Sequence, residues 1–181
     1  MLGVGAGPGL QVQDAFRSSG LNADRLNAVF IDRDEGAFDY GTAKANDAGF
    51  AQSVQYIKGD ARDVSQLMPD QKCHIVKLIG IIEYLTDDDV IDLCSAIREV
   101  MHPAGTILTH GIQDTHHAIP FLERIFNLKH FQRTGEQVRT LLTTAGFDGL
   151  TVTNIPLDVY PMVSGNPDVA HAQNMTTSDA A

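Results

Sequence analysis

Short apolar segments rich in β-branched residues alternate along the chain with longer stretches of helical periodicity. Ala28-Val29-Phe30-Ile31 is the first clear one, closed by Asp32-Arg33-Asp34. Val54 to Ile57 follows and ends in Lys58-Gly59-Asp60, His74 to Ile79 is the next, and Gly105 to Thr109 the one after. Nearly continuous apolar strands, each separated from the next by a helix, predict a parallel sheet covered on both faces.

The helices between them announce their ends. Thr86 is a suitable N-cap, and Asp87, Asp88 and Asp89 put negative charge in the first turn, where the helix dipole favours it. Three consecutive carboxylates cannot converge on one ion from a single helical face, so the triplet reads as a helix start rather than a metal site. Val90, Ile91, Leu93, Cys94, Ile97, Val100 and Met101 continue at helical spacing until His102-Pro103-Ala104-Gly105 stops the run. Thr134 and Gln137 have capping-box spacing ahead of a helix that Gly146 ends. Leu150 to Ile155 alternates as a half-buried strand does, and Leu157 to Val163 is strand-like, with Pro161 directing it to an edge or a bulge. From Gly165 onward the chain lacks periodicity and apolar mass, which predicts a domain over 1–164 and a disordered tail over 165–181.

The beginning of the chain, MLGVGAGPGL, alternates glycine at Gly3, Gly5, Gly7 and Gly9 and runs into a helical pattern at Leu10, Val12, Ala15 and Phe16. This describes a strand-to-helix turn in which glycine permits positive φ and a ligand can approach the bare backbone. The dinucleotide fingerprint G-x-G-x-x-G fails in every register, because its last position falls on Pro8, Leu10 or Val12. A nicotinamide-dependent oxidoreductase is disfavoured on that spacing.

GAGPG instead resembles the glycine turn of the Rossmann-like (class I) S-adenosylmethionine-dependent methyltransferases, and further segments resemble that family in the same order. VFIDRD, YIKGDA and HIVKLIGIIEYL are similar to the ends of its second, third and fourth strands, and RTGEQVRTLLTTAGFDGLTV with IPLDVYPMVSG to its last helix and closing strands. The resemblance spans about Leu2 to Gly165. It implies a doubly wound, mostly parallel seven-stranded α/β sheet with one antiparallel strand near the C-terminus, and S-adenosylmethionine as cofactor. The family's cofactor residues then fall on Gly5, Ala6, Gly7, Gly9, Asp32, Arg33, Asp60, Ala61, Ile79 and Gly80. Asp32 would accept hydrogen bonds from the ribose hydroxyls, as a carboxylate suits a diol. Asp60 would take the adenine amino group, with Ala61 beside it.

The chain departs from the family twice. Where the family has an acidic residue two positions before the turn, this chain has Gly3. The first strand, Met1 to about Val4, is short for a central strand, and the covering helix expected ahead of it is absent. The expectation is that the first strand is truncated because sequence upstream of Met1 is missing, through a fragment or a misassigned start; the alternative is a protein that works with a truncated lid.

Composition narrows the partners. Lys plus Arg is 13 and Asp plus Glu is 23, a formal net charge of −10 that disfavours a nucleic-acid partner. A small-molecule or protein acceptor is expected. No apolar run is long enough to span a bilayer and no basic segment precedes an apolar one, so neither membrane nor export is expected. Cys73 and Cys94, without metal-ligand spacing, read as reduced core thiols in a cytoplasmic protein. Glu83, Tyr84 and His110 stand at strand exits as substrate-pocket candidates, with His116 and His117 placed as lid residues. The acceptor and any catalytic base are not legible. Two readings remain open: an enzyme that transfers methyl groups, and a non-catalytic module of the same fold.

Overall fold

The computed structural model describes residues 1–113, 119–155 and 159–167. Seven strands form one sheet in the order β3-β2-β1-β4-β5-β7-β6. They are β1 (Leu2–Val4), β2 (Ala28–Asp32), β3 (Val54–Lys58), β4 (Cys73–Leu78), β5 (Met101–His110), β6 (Phe147–Thr153) and β7 (Met162–Pro167). The helices are α1 (Leu10–Ser19), α2 (Gly36–Asp47), α3 (Val64–Leu67), α4 (Asp87–Glu99), α5 (Ile119–Phe126) and α6 (Gly135–Thr144). β7 runs antiparallel to both neighbours, and the pairings from β3 across to β5 are parallel.

Burial explains the central strands. Leu2, Val4, Val29, Ile31, Val76, Leu78 and Ile107 belong to one core with Val90, Leu93, Cys94 and Ile97 of α4 and Val138 and Leu142 of α6. A smaller cluster, Val12, Ala28 and Phe30, seats α1 against the opposite face. Both expected helix starts carry capping boxes, Thr86 with Asp89 and Thr134 with Gln137, so two orphan N–H groups at each end find partners. Both cysteines are free and buried, and burial pushes the Cys94 thiol up to about 12. Among the described residues no helix is long and apolar enough to cross a membrane.

Several boundaries differ from the sequence pattern. The helix expected to run through Met101 ends at Glu99, and Met101 pairs with Cys73 as the start of β5. Pro103 lies within that strand, beside the register shift between Cys73 and Ile75 on its partner. β6 starts at Phe147 rather than Leu150, because the apolar side chain buried there, Phe147, precedes the alternating run. The closing strand is the largest correction. It occupies Met162–Pro167 rather than Leu157 to Val163, and it lies inside the sheet, between β5 and β6, not at an edge. Pro161 stands just before it and accepts a hydrogen bond from Gly111 N. Gly165 to Pro167, expected in the tail, are therefore strand; the remainder of that tail, 168–181, lies outside the described residues, as do Leu157, His116 and His117.

Candidate functional site

The strand order reverses between β1 and β4, and the crevice at their carboxyl ends is where an open α/β sheet receives a ligand. The glycine turn builds its floor. Gly5, Gly7 and Gly9 have φ of 59°, 52° and 68°, a region that side-chain-bearing residues avoid. At Gly9 a Cβ would also stand 2.6 Å from the Phe30 ring, so close packing demands glycine there as well. At Gly7 a Cβ would meet nothing within 4 Å, and the same holds for Gly80 after β4, whose φ is 87°. The bare backbone at these two positions faces open space. That is the arrangement a closely approaching ligand requires.

Asp32 ends β2 and locks this turn. Its Oδ2 accepts from Gly7 N at 2.7 Å and its Oδ1 from Asp34 N at 3.0 Å. A carboxylate has roughly four acceptor positions, so Asp32 keeps about half of its capacity for a diol. Asp60 differs. It accepts from Arg62 N, Nε and Nη2, and Arg33 Nη2 closes on it as well. The Arg62 bonds chiefly, and Arg33 in addition, hold its carboxyl well below the usual range. With its acceptor positions filled, Asp60 meets an amino group only if one arginine swings away.

A cleft of about 420 Å³ brings together Gly5, Asp32, Arg33, Asp60, Ala61 and Gly80, six of the ten positions that the sequence assigned to the cofactor. Ala6, Gly7 and Gly9 shape the turn without lining this cleft, and Ile79 lines a neighbouring one instead. The position two before the turn is closed to a side chain. A Cβ on Gly3 would stand 2.8 Å from Phe30 Cδ1 and 3.0 Å from Ala6 Cβ, so the space of the family's acid is already filled.

The neighbouring cleft, about 460 Å³, is lined by Ile79, Glu83, Tyr84, His110, His130, Tyr160 and apolar side chains including Ile112, Leu122 and Met162. Tyr84 borders both clefts. All three substrate-pocket candidates therefore meet here. Burial, then the nearby Glu83 and Tyr160, push the Tyr84 phenol upward, so it stays protonated at neutral pH. His110 Nδ1 lies 2.9 Å from Gly111 O. A carbonyl only accepts, which places a proton on Nδ1 and makes Nε2 the acceptor nitrogen of that tautomer. Glu83 Oε2 and His130 Nδ1 are buried with no hydrogen-bond partner among the described residues. Each such group costs roughly 1–3 kcal/mol.

Three positioning residues were not legible beforehand. Arg133 is buried, donates to Ile82 O at 2.7 Å and Leu85 O at 2.7 Å, and reaches Asp87 Oδ1 at 2.8 Å. It pins the turn that carries Glu83 and Tyr84. Gln13 Nε2 reaches Pro8 O, Gly41 O and the Tyr56 hydroxyl, and Tyr56 itself donates to Pro8 O at 2.9 Å. Together they fasten the glycine turn to α2. His130 belongs to this group of omissions, since it stands in a loop with no periodic signal.

Comparison with known proteins fits this geometry. A family model described as a methyltransferase domain matches residues 1–105. A solved structure described as an O-methyltransferase from Nostoc punctiforme superposes with TM-score 0.74 at 14% identity, covering 91% of this chain and 51% of that one. An aminodemethylriboflavin dimethyltransferase from Streptomyces davawensis gives TM-score 0.69 at 22% identity, over 92% and 48% of the two chains. Human N-acetylserotonin methyltransferase, solved with S-adenosylmethionine, gives 0.65 at 16% identity, over 92% and 47%. The chain thus spans about half the length of these structures. No curated protein matches.

Proposed function

The chain belongs to the methyltransferase-domain family, and from that premise we propose that it binds S-adenosylmethionine across the glycine turn and transfers the methyl group to a small molecule. The observation that carries the reading is Asp32: fixed by Gly7 and Asp34, it keeps acceptor capacity beside a backbone open at Gly7 and Gly80. Two relatives of the same fold were solved with S-adenosylmethionine or S-adenosylhomocysteine, which supports the same ligand here.

In this reading Asp32 takes the ribose hydroxyls, Gly5 and Gly80 let the ligand lie against the main chain, and Ala61 with Arg33 borders the adenine. Asp60 exchanges one arginine for the adenine amino group. When bound, the sulfonium supplies an electrophilic methyl carbon, and the protein contributes alignment and exclusion of water. Tyr84, common to both clefts, borders the line of transfer, and Nε2 of His110 accepts a proton from the acceptor. Net charge of −10 and the apolar lining of the second cleft favour a small molecule over nucleic acid.

Gly3 favours a second reading, binding without transfer, because the carboxylate that helps the family hold the methionine end has no space there. Calorimetry with S-adenosylhomocysteine on the wild type and Asp32→Ala, with NADH as control, tests the first step. Heat from the wild type alone, and none with NADH, is expected; equal heat from both proteins contradicts the assignment.

A further inference from the structure

We propose, resting on the methyl-transfer reading above, that the acceptor is an amine carried on a small apolar body, its N–H donating to Oε2 of Glu83. Glu83 is only 7% exposed, and Oε2 is buried with no partner among the described residues. Ionised, a carboxyl offers only acceptor positions, so its complement is a donor. An amine supplies that donor, and as a cation it adds charge complementarity wherever the carboxyl is ionised.

The surroundings match that ligand on two further counts. Ile79, Ile112, Leu122 and Met162 give the cleft an apolar lining that accommodates a hydrocarbon or aromatic body. Tyr84 and Tyr160 bring aromatic rings to the same cleft, and ring faces attract a cation. The wall is held in place from behind. Phe131 N donates to Glu83 O at 2.7 Å, and the His130 ring lies 5.0 Å from that of Tyr84.

The proton balance also closes. The amine docks as the ammonium on Glu83 and releases one proton to Nε2 of His110, whose Nδ1 is engaged with Gly111 O. The freed nitrogen lone pair attacks the methyl carbon. A nitrogen–carbon bond forms, the carbon–sulfur bond breaks with its electron pair retained by sulfur, and a methylammonium product leaves. No oxidant, reductant or metal enters.

Calorimetry on protein saturated with S-adenosylhomocysteine tests the inference, with phenethylamine, 2-phenylethanol and phenylacetate as probes of one shape and three charges. Phenethylamine is expected to bind at least about tenfold more tightly than either of the others, and Glu83→Gln is expected to remove that preference. Equal or tighter binding of the alcohol, no binding of the amine, or an amine preference that survives Glu83→Gln overturns it. Should Glu83→Gln fail to fold, the wild-type ranking of the three probes decides alone. Protein that gives no heat with S-adenosylhomocysteine overturns the methyl-transfer reading. Protein that binds it yet ranks the probes otherwise overturns only the amine.

Discussion

The amide of Gly7 donates to Oδ2 of Asp32 at 2.7 Å, tying the glycine turn to the end of the neighbouring strand across 25 residues of sequence. In the proposed reading, one carboxylate thus both shapes the backbone of the turn and offers its remaining acceptors to the ligand. Asp32→Ala should therefore lower stability by roughly 1–3 kcal/mol and weaken S-adenosylhomocysteine at least about tenfold. Paired thermal melts and calorimetry check both. An undiminished affinity in a destabilised protein would leave Asp32 a purely structural residue.

Two glycines of the same turn should respond oppositely to a methyl group. Gly9→Ala drives Cβ into the Phe30 ring at 2.6 Å and holds alanine at φ 68°, so it should cost roughly 2–4 kcal/mol. Gly7→Ala meets nothing within 4 Å and should cost only about 1 kcal/mol of backbone strain while disturbing the amide that orients Asp32. Melting temperature should fall further for Gly9→Ala, whereas Gly7→Ala should lose affinity out of proportion to its stability.

Arg133 carries a prediction about the acceptor cleft. Arg133→Ala strips donors from the carbonyls of Ile82 and Leu85 and should destabilise the protein by roughly 2–4 kcal/mol. Arg133→Lys should not restore it, since one ammonium cannot reproduce the fork that spans two carbonyls and Asp87. Hydrogen exchange should show the amides of Ile82 to Leu85 losing protection in both variants. Protection equal to wild type in the lysine variant contradicts this.

Asp60 makes stability depend on pH in a defined direction. Its folded pKa is depressed, mainly by Arg62, so its contribution is complete above the unfolded value of about 3.9 and is lost as pH falls through the folded one. Its arginine partners are largely exposed, which limits the contribution to about 1 kcal/mol. The melting difference between wild type and Asp60→Asn should be largest near pH 7 and shrink toward pH 2. A difference that grows on acidification contradicts the sign.

Much of the fold was legible because it depends on local pattern. The apolar runs at Val29 and Val76, the caps at Thr86 and Thr134 and the glycine turn each signal through neighbours in sequence. The site was half legible for the same reason: Gly5, Asp32, Asp60 and Gly80 meet because each ends or follows a parallel strand. What escaped depends on distant partners. Met101 reads as the last turn of a helix until Cys73 is seen to pair with it, and Pro161 suggests an edge or a bulge until β7 is placed between β5 and β6. Arg133, Gln13 and His130 act through contacts across 28 to 51 residues or through burial, neither of which periodicity records. Asp60 lines the cleft, but only the structure shows Arg33 and Arg62 occupying its carboxylate.

The account stands or falls on a ligand lying against the bare backbone of the turn. Amide spectra of uniformly ¹⁵N-labelled protein, titrated with S-adenosylhomocysteine, report on each glycine separately. Binding should move the Gly5, Gly7, Gly80 and Asp34 amides while leaving Gly20 and Gly49, remote in loops beyond α1 and α2, unmoved. Shifts confined to other residues, or none at saturating ligand, would contradict the placement of the cofactor and the function built upon it.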